Sequence, residues 1–101
     1  MNGGRRVIPT PRAHVRVTTF AGGIVLFDES RARVHVLDDM AGIIWKLFDG
    51  MTDAEDIVRD VVDVFGVDEQ AVRRYVATLI RSLADLGVIV CMDEASVPSH
   101  S

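Results

Sequence analysis

Three histidines, one cysteine and several adjacent carboxylates are the side chains of this sequence best suited to chemistry. His14, His35 and His100 could hold a metal ion or carry protons, but they lie far apart in the chain. A shared site would have to gather them from three separate segments, so an exposed or half-buried structural role is the plainer expectation for each. Cys91 could act as a nucleophile only as a thiolate, which needs a basic neighbour or a helix N-terminus. It stands instead in the apolar run from Leu86 to Met92 and is expected as a buried small hydrophobe. Carboxylate pairs such as Asp38-Asp39 and Asp93-Glu94 resemble acid/base dyads in composition, yet nearly all fit helix caps or solvated helix faces. There is no Gly-rich phosphate loop, no Gly-x-Ser-x-Gly elbow and no His-Glu-x-x-His pair. No catalytic residue, metal site or cofactor is therefore expected, and the chain reads as a binding protein rather than an enzyme.

A chain of 101 residues makes one domain. It buries about two thirds of its unfolded surface, which leaves little room for a deep cleft. Its composition, 49% hydrophobic and 26% charged, is that of a globular fold. A lone cysteine excludes an internal disulfide and suits a reducing cytosol, and Val7-Ile8-Pro9 after Arg5-Arg6 lacks the apolar stretch of an export signal. Apolar runs fall far short of the roughly 20 residues of a membrane span. A cytoplasmic location, away from membranes, is the expectation. Residues 1–37 hold six arginines against two carboxylates, a balance of +4, whereas residues 38–101 hold five basic and thirteen acidic groups, a balance of −8. The acidic total disfavours phosphate-driven binding of nucleic acid.

Period and turn residues then divide the chain. Residues 1–13, with Gly3-Gly4, Pro9 and Pro11, read as a mobile N-terminal arm, 14–92 as the folded domain and 93–101 as a polar tail. His14 to Phe20 forms a first strand, Ala21-Gly22-Gly23 reverses it, and Ile24 to Phe27 is a central strand expected to be covered on both faces. After the turn Asp28-Glu29-Ser30-Arg31, a third strand alternates, with Val34 and Val36 on one face and Arg33, His35 and Leu37 on the other. A first helix, capped by Asp38 or Asp39, carries Met40, Ile43, Ile44, Leu47 and Phe48 at helical spacing, and Gly50 ends it. The capping box Thr52-Asp53-Ala54-Glu55 opens a second, with Ile57, Val58, Val61, Val62 and Phe65 inside. Asp68 caps a third, whose stripe is Val72, Tyr75, Val76, Leu79, Leu83 and Leu86, and Gly87 ends it. Val88-Ile89-Val90 adds a short strand. The fold class is α+β and winged-helix-like, a three-stranded antiparallel sheet followed by three helices.

A three-stranded meander has two edges, and each leaves backbone N–H and C=O groups open to another chain. Arg33 and His35 on the short third strand read equally well as a guard against pairing and as part of a place where an extended peptide adds itself. The stretch Gly23-Ile24-Val25-Leu26-Phe27-Asp28, then Arg33-Val34-His35-Val36-Leu37, then Ala41-Gly42-Ile43-Ile44-Trp45-Lys46-Leu47-Phe48-Asp49-Gly50-Met51-Thr52, resembles the PqqD-like family of peptide-recognition domains. The likeness continues through Ile57, Phe65-Gly66-Val67-Asp68 and Leu79 to Leu83-Ala84-Asp85-Leu86-Gly87-Val88-Ile89. Tyr75 departs from it, standing where an acidic residue is expected.

The resemblance implies a non-catalytic adaptor that binds the leader segment of a ribosomally made precursor peptide. It would present that peptide to a modifying enzyme, such as a radical enzyme or a leader protease, in a modified-peptide or redox-cofactor biosynthetic pathway. It also implies that the leader adds a strand beside Arg33, Val34, His35, Val36 and Leu37, in a groove whose other wall is the third helix. At roughly 100° per residue, Tyr75, Thr78 and Ser82 share one shoulder of that helix, and Arg73, Ile80 and Ala84 the other. Which shoulder borders the groove is left open by the sequence. The expectation is placed on Tyr75, Thr78 and Ser82, with Arg74 or Arg81 meeting any acidic leader residue. Two other readings stand beside this one. A winged helix-turn-helix DNA-binding protein would use Arg73, Arg74 and Arg81, against the acidic balance of the helical half and the scarcity of Asn, Gln and Lys there. A homodimer joined through the sheet edge would occupy the same strand.

Overall fold

The computed structural model of the chain describes residues 7–93. Its elements in chain order are β1 (Val7–Pro11), β2 (Val15–Phe20), β3 (Gly23–Asp28), β4 (Arg33–Asp38), α1 (Asp39–Lys46), α2 (Ala54–Phe65), α3 (Glu69–Asp85) and β5 (Ile89–Asp93). The alternating segments pair as an antiparallel meander in the order β2-β3-β4, and the three helices follow it, as the sequence pattern requires. Ile24 and Leu26 of β3 and Leu37 of β4 form one core with Ile44 and Trp45 of α1, Ile57, Val58 and Val61 of α2, and Val72, Val76, Ile80 and Leu83 of α3. The other face of the sheet is open, with Val34 and Val36 60% and 64% exposed beside the partly exposed Phe27. The expectation of a central strand covered on both faces is corrected here: all three helices pack on one side, and an antiparallel sheet can leave its second face to water.

Asp38, Asp53 and Asp68 cap the three helices, each carboxylate accepting from the backbone N–H three residues on, at 3.0, 2.8 and 2.9 Å. Asp53 rather than Thr52 therefore opens α2. The Thr52 hydroxyl donates to Asp49, whose carboxylate also takes the backbone N–H groups of Met51 and Thr52. The first helix stops at Lys46, short of Gly50. Leu47 and Phe48 tighten to bonds with residues three back, and Phe48 turns inward to meet Trp45 edge to face, ring centroids 5.8 Å apart. Phe65, expected inside, is half exposed at the end of α2, whereas Ile80 of α3 is buried rather than on a shoulder.

Residues 7–11, read as part of a mobile arm, form β1 instead. They pair antiparallel with β5 from Val7↔Asp93 to Pro11↔Ile89, a two-stranded ribbon separate from the meander. Pro9 and Pro11 hide this strand in the sequence, yet a strand with a single partner tolerates prolines wherever the missing N–H would face away from that partner. Val88 and Ile89 are buried, but Cys91 beyond them is exposed rather than buried as expected, on a strand that pairs with β1 alone among the described residues. What burial remains pushes the Cys91 thiol up. Asp93 belongs to β5, while the rest of the expected arm and tail, residues 1–6 and 94–101 with His100, lies outside the described residues. No helix among the described residues is long and apolar enough to cross a membrane.

The turn before β4 is built on Asp28, which is fully buried. Its Oδ1 accepts from the Ser30 N–H at 3.0 Å, the Ser30 hydroxyl at 2.8 Å and the Arg31 N–H at 3.2 Å, and His14 Nε2 stands 3.4 Å away. These bonds, the Ser30 hydroxyl foremost, hold the Asp28 carboxyl below its usual range against the opposing pull of desolvation. A carboxylate depressed by folding contributes stability that is present above its unfolded pKa and is lost as pH falls through the folded one. Stability is therefore expected to fall as pH drops below about 4, and Asp28→Asn, less stable at neutral pH, to lose less on acidification. Urea titrations at pH 7 and pH 3 check this, and an equal acid loss in both proteins would remove Asp28 from the account.

Candidate functional site

Among the described residues no strand pairs with the outer edge of β4, which runs beside α3, and two contacts define how the strand presents itself. Gly23, with φ +145°, lies so close to β4 that an added Cβ would fall 2.0 Å from the Leu37 carbonyl oxygen. The Leu37 C=O therefore points at β3. Along an antiparallel strand, residues alternate between bonding to one side and to the other. Arg33, His35 and Leu37 thus bond to β3, while Val34 and Val36 turn their N–H and C=O groups to the open edge. Side chains alternate on a second axis. Those of Arg33, His35 and Leu37 share the helix side of the sheet with Asp28, Leu26 and Ile24 across the register, and those of Val34 and Val36 the open face.

The helix wall is oriented by Arg73, whose guanidinium donates to Glu55 of α2 and to Glu69 one turn earlier. That shoulder of α3 consequently faces α2. The shoulder carrying Tyr75 and Ser82 borders β4, as its two ends show. At one end, partial burial and then the Asp38 carboxylate at the end of β4 push the Tyr75 phenol up. At the other, Asp85 and Leu86 line a recess of about 230 Å3 with Arg31, Arg33 and His35. The walls also match in length: five strand steps from Arg33 to Asp38 span about 17 Å, and eleven helical steps from Tyr75 to Leu86 also span about 17 Å. Arg74 and Arg81 are exposed further round α3, on its outer side, and Thr78 is exposed between them and the Ser82 shoulder.

Chemistry differs along the groove. Near Tyr75, a recess of about 320 Å3 opens between the helices, lined by Met40, Ile44, Val61, Ala71 and Val72. These walls are apolar. At the other end, the Arg31 guanidinium donates to the Leu86 carbonyl and lies against Gly87, whose φ of +79° and absent Cβ make room for it. The turn before β4 is thereby tied to the end of α3. His35 Nε2 is buried without a hydrogen-bond partner among the described residues. Sequence reasoning missed Arg31, Asp38, Asp85 and Leu86 as groove residues. The signal available was indirect, an arginine in a turn and a glycine after a helix. His14 is occupied with Asp28, and no three His, Cys, Asp or Glu side chains among the described residues converge on a metal position. What the arrangement offers is an unpaired strand edge between an apolar recess and a charged one.

Solved structures share this architecture. That of TbiB1 in complex with the TbiA(beta) leader peptide matches with a TM-score of 0.73 at 22% identity, over 79% of this chain and 93% of that one. Lasso peptide synthetase B1 complexed with the leader peptide matches with a TM-score of 0.72 at 25% identity, over 82% of this chain and 98% of that one. No curated protein matches the sequence significantly. The family described as coenzyme PQQ synthesis protein D (PqqD) matches residues 23–89, from the first residue of β3 to the first of β5. That stretch contains both walls of the groove and well over half of the sequence, and on it the chain belongs to the PqqD family.

Proposed function

We propose that this domain binds the leader segment of a ribosomally made precursor peptide by strand addition at β4, and presents it to a modifying enzyme without catalysing a step itself. The observation that carries this reading is the open β4 edge, where Val34 and Val36 direct four backbone hydrogen-bonding groups into a groove beside α3. Family membership supports it, as does likeness to two domains described in complex with leader peptides. The recognition unit spans residues 14–92 and works in the cytoplasm. Its partner enzyme, a radical enzyme or a leader protease among others, acts in a modified-peptide or redox-cofactor pathway.

An antiparallel guest exchanges both bonds with Val34 and both with Val36, and sends alternate side chains into the groove, where Tyr75, Thr78 and Ser82 border them. An apolar guest side chain fits the recess beside Tyr75. Four strand bonds at a net ~0.5–1.5 kcal/mol each and two apolar anchors at ~1.5–3 kcal/mol each offset the ordering of the guest and its lost translation. The affinity expected is low micromolar, which corresponds to about −8 kcal/mol. The DNA-binding reading is weakened, since Arg73, one of its three arginines, is engaged by two carboxylates. Fluorescence anisotropy with a labelled leader peptide, taken from the precursor encoded beside the gene, tests the proposal. Saturable binding in the low micromolar range is expected. Absence of binding, with retention on a DNA column at low salt, would overturn it, and a dimer by light scattering that no peptide disrupts would assign the β4 edge to self-association.

A further inference from the structure

Among the described residues, the charged end of the groove holds a cation without a partner. Arg16, Arg59 and Arg73 each meet carboxylates, and Arg31 lies 3.9 Å from Asp28 Oδ2 while donating to the Leu86 carbonyl. Arg33 makes no ion pair or hydrogen bond of its side chain among the described residues. Asp28 stands across from it in register, but gives its Oδ1 to Ser30 and Arg31, with His14 alongside. Two residues along β4 on the same face is His35, with its partnerless buried Nε2. Arg31, Arg33, His35 and Leu86 line the recess of about 230 Å3, with Asp85 as its one acid among the described residues. Counting formal charges with His35 neutral, the recess is positive by one. A guest strand on β4 sends the residue across from Arg33 or His35 inward, toward this recess.

We propose that the recess selects an aspartate or glutamate side chain of the bound peptide, received by the Arg33 guanidinium and the His35 imidazole N–H over the apolar flank of Leu86. The inference rests on the leader-binding reading and names one feature of the guest. It places the acid reader on β4, and not at Arg74 or Arg81 on the outer side of α3. Charge-assisted bonds are the stronger kind, and Arg suits a carboxylate by its two-pronged geometry. Asp85 repels a second acid, so the recess takes one.

The test uses a displayed library of random dodecapeptides, panned on the full chain, on Arg33→Glu and on Val36→Pro. Arg33 is exposed, so Arg33→Glu is expected to melt as the wild type does. Peptides selected by the wild type should carry Asp or Glu at one fixed offset from an apolar anchor, and those selected by Arg33→Glu should carry Lys or Arg there. A synthetic wild-type consensus peptide should bind Arg33→Glu about tenfold more weakly, and its acid-to-lysine counterpart should recover the loss. Peptides that Val36→Pro fails to bind but that show no acid at a fixed offset would overturn this inference alone. So would an acid preference that survives in Arg33→Glu. Failure to select any peptide that depends on Val36 would overturn the leader-binding reading, and the inference with it.

Discussion

A Val36→Pro variant is expected to keep its fold and to lose leader-peptide binding by about a hundredfold. The Val36 N–H points to the open edge, so removing it breaks no bond between β3 and β4, and proline is tolerated on an edge strand in this orientation. The residue before proline is pushed toward extended backbone, which His35 already adopts. In the complex the same change deletes one donor and sets a pyrrolidine ring where the guest backbone must approach within about 5 Å. Together these effects amount to about 2–3 kcal/mol. Substituting Arg74 or Arg81 with alanine should cost only a few-fold, since both lie outside the groove. Anisotropy titration measures the binding and circular dichroism the fold. Undiminished binding by a folded Val36→Pro protein would remove β4 from the site.

Leu26→Ala should be the most damaging stability change in the sheet, lowering stability by about 2–5 kcal/mol. Leu26 is completely buried at the middle of β3, where the helices close over the sheet, and its truncation leaves a cavity that short flanking elements fill poorly. A domain of this size has about 5–15 kcal/mol in all, so the melting temperature should drop by roughly 10–25 °C. Phe27→Ala is the internal comparison. One residue along, on the open face and 38% exposed, it should cost well under half as much despite removing a larger side chain. Equal losses at the two positions would contradict a core confined to one side of the meander.

Much of this architecture is legible in residue order. The alternation of Arg33 to Leu37 marks β4, and Asp38 and Asp68 announce helix starts, because caps and strand faces are set by neighbours in sequence. Other features depend on contacts between distant residues. The β1–β5 ribbon joins residues 78 to 86 positions apart, and its prolines erase the local strand signal. Nothing near Tyr75 says whether its shoulder of α3 meets β4. That is decided by Arg73 reaching Glu55 on another helix. The recess at Arg33 is likewise assembled by Arg31 crossing to Leu86, fifty-five residues away. Phe65 illustrates a different limit: helical spacing places it on the inner stripe, but α2 ends there and leaves nothing above it to pack against.

The ribbon has a further consequence for how this unit can be wired into larger proteins. Val7 and Asp93 face each other across it, so the chain enters and departs at adjacent points, about 5 Å apart at the Cα atoms. A sequence spliced on at Val7 or at Asp93 would therefore start from one shared anchorage, as a plug-in cassette does. Joining Asp93 to Val7 through a short linker and cutting elsewhere, at the exposed Glu29–Ala32 turn or between α1 and α2, should leave a permuted chain whose stability reports which loop the fold can spare.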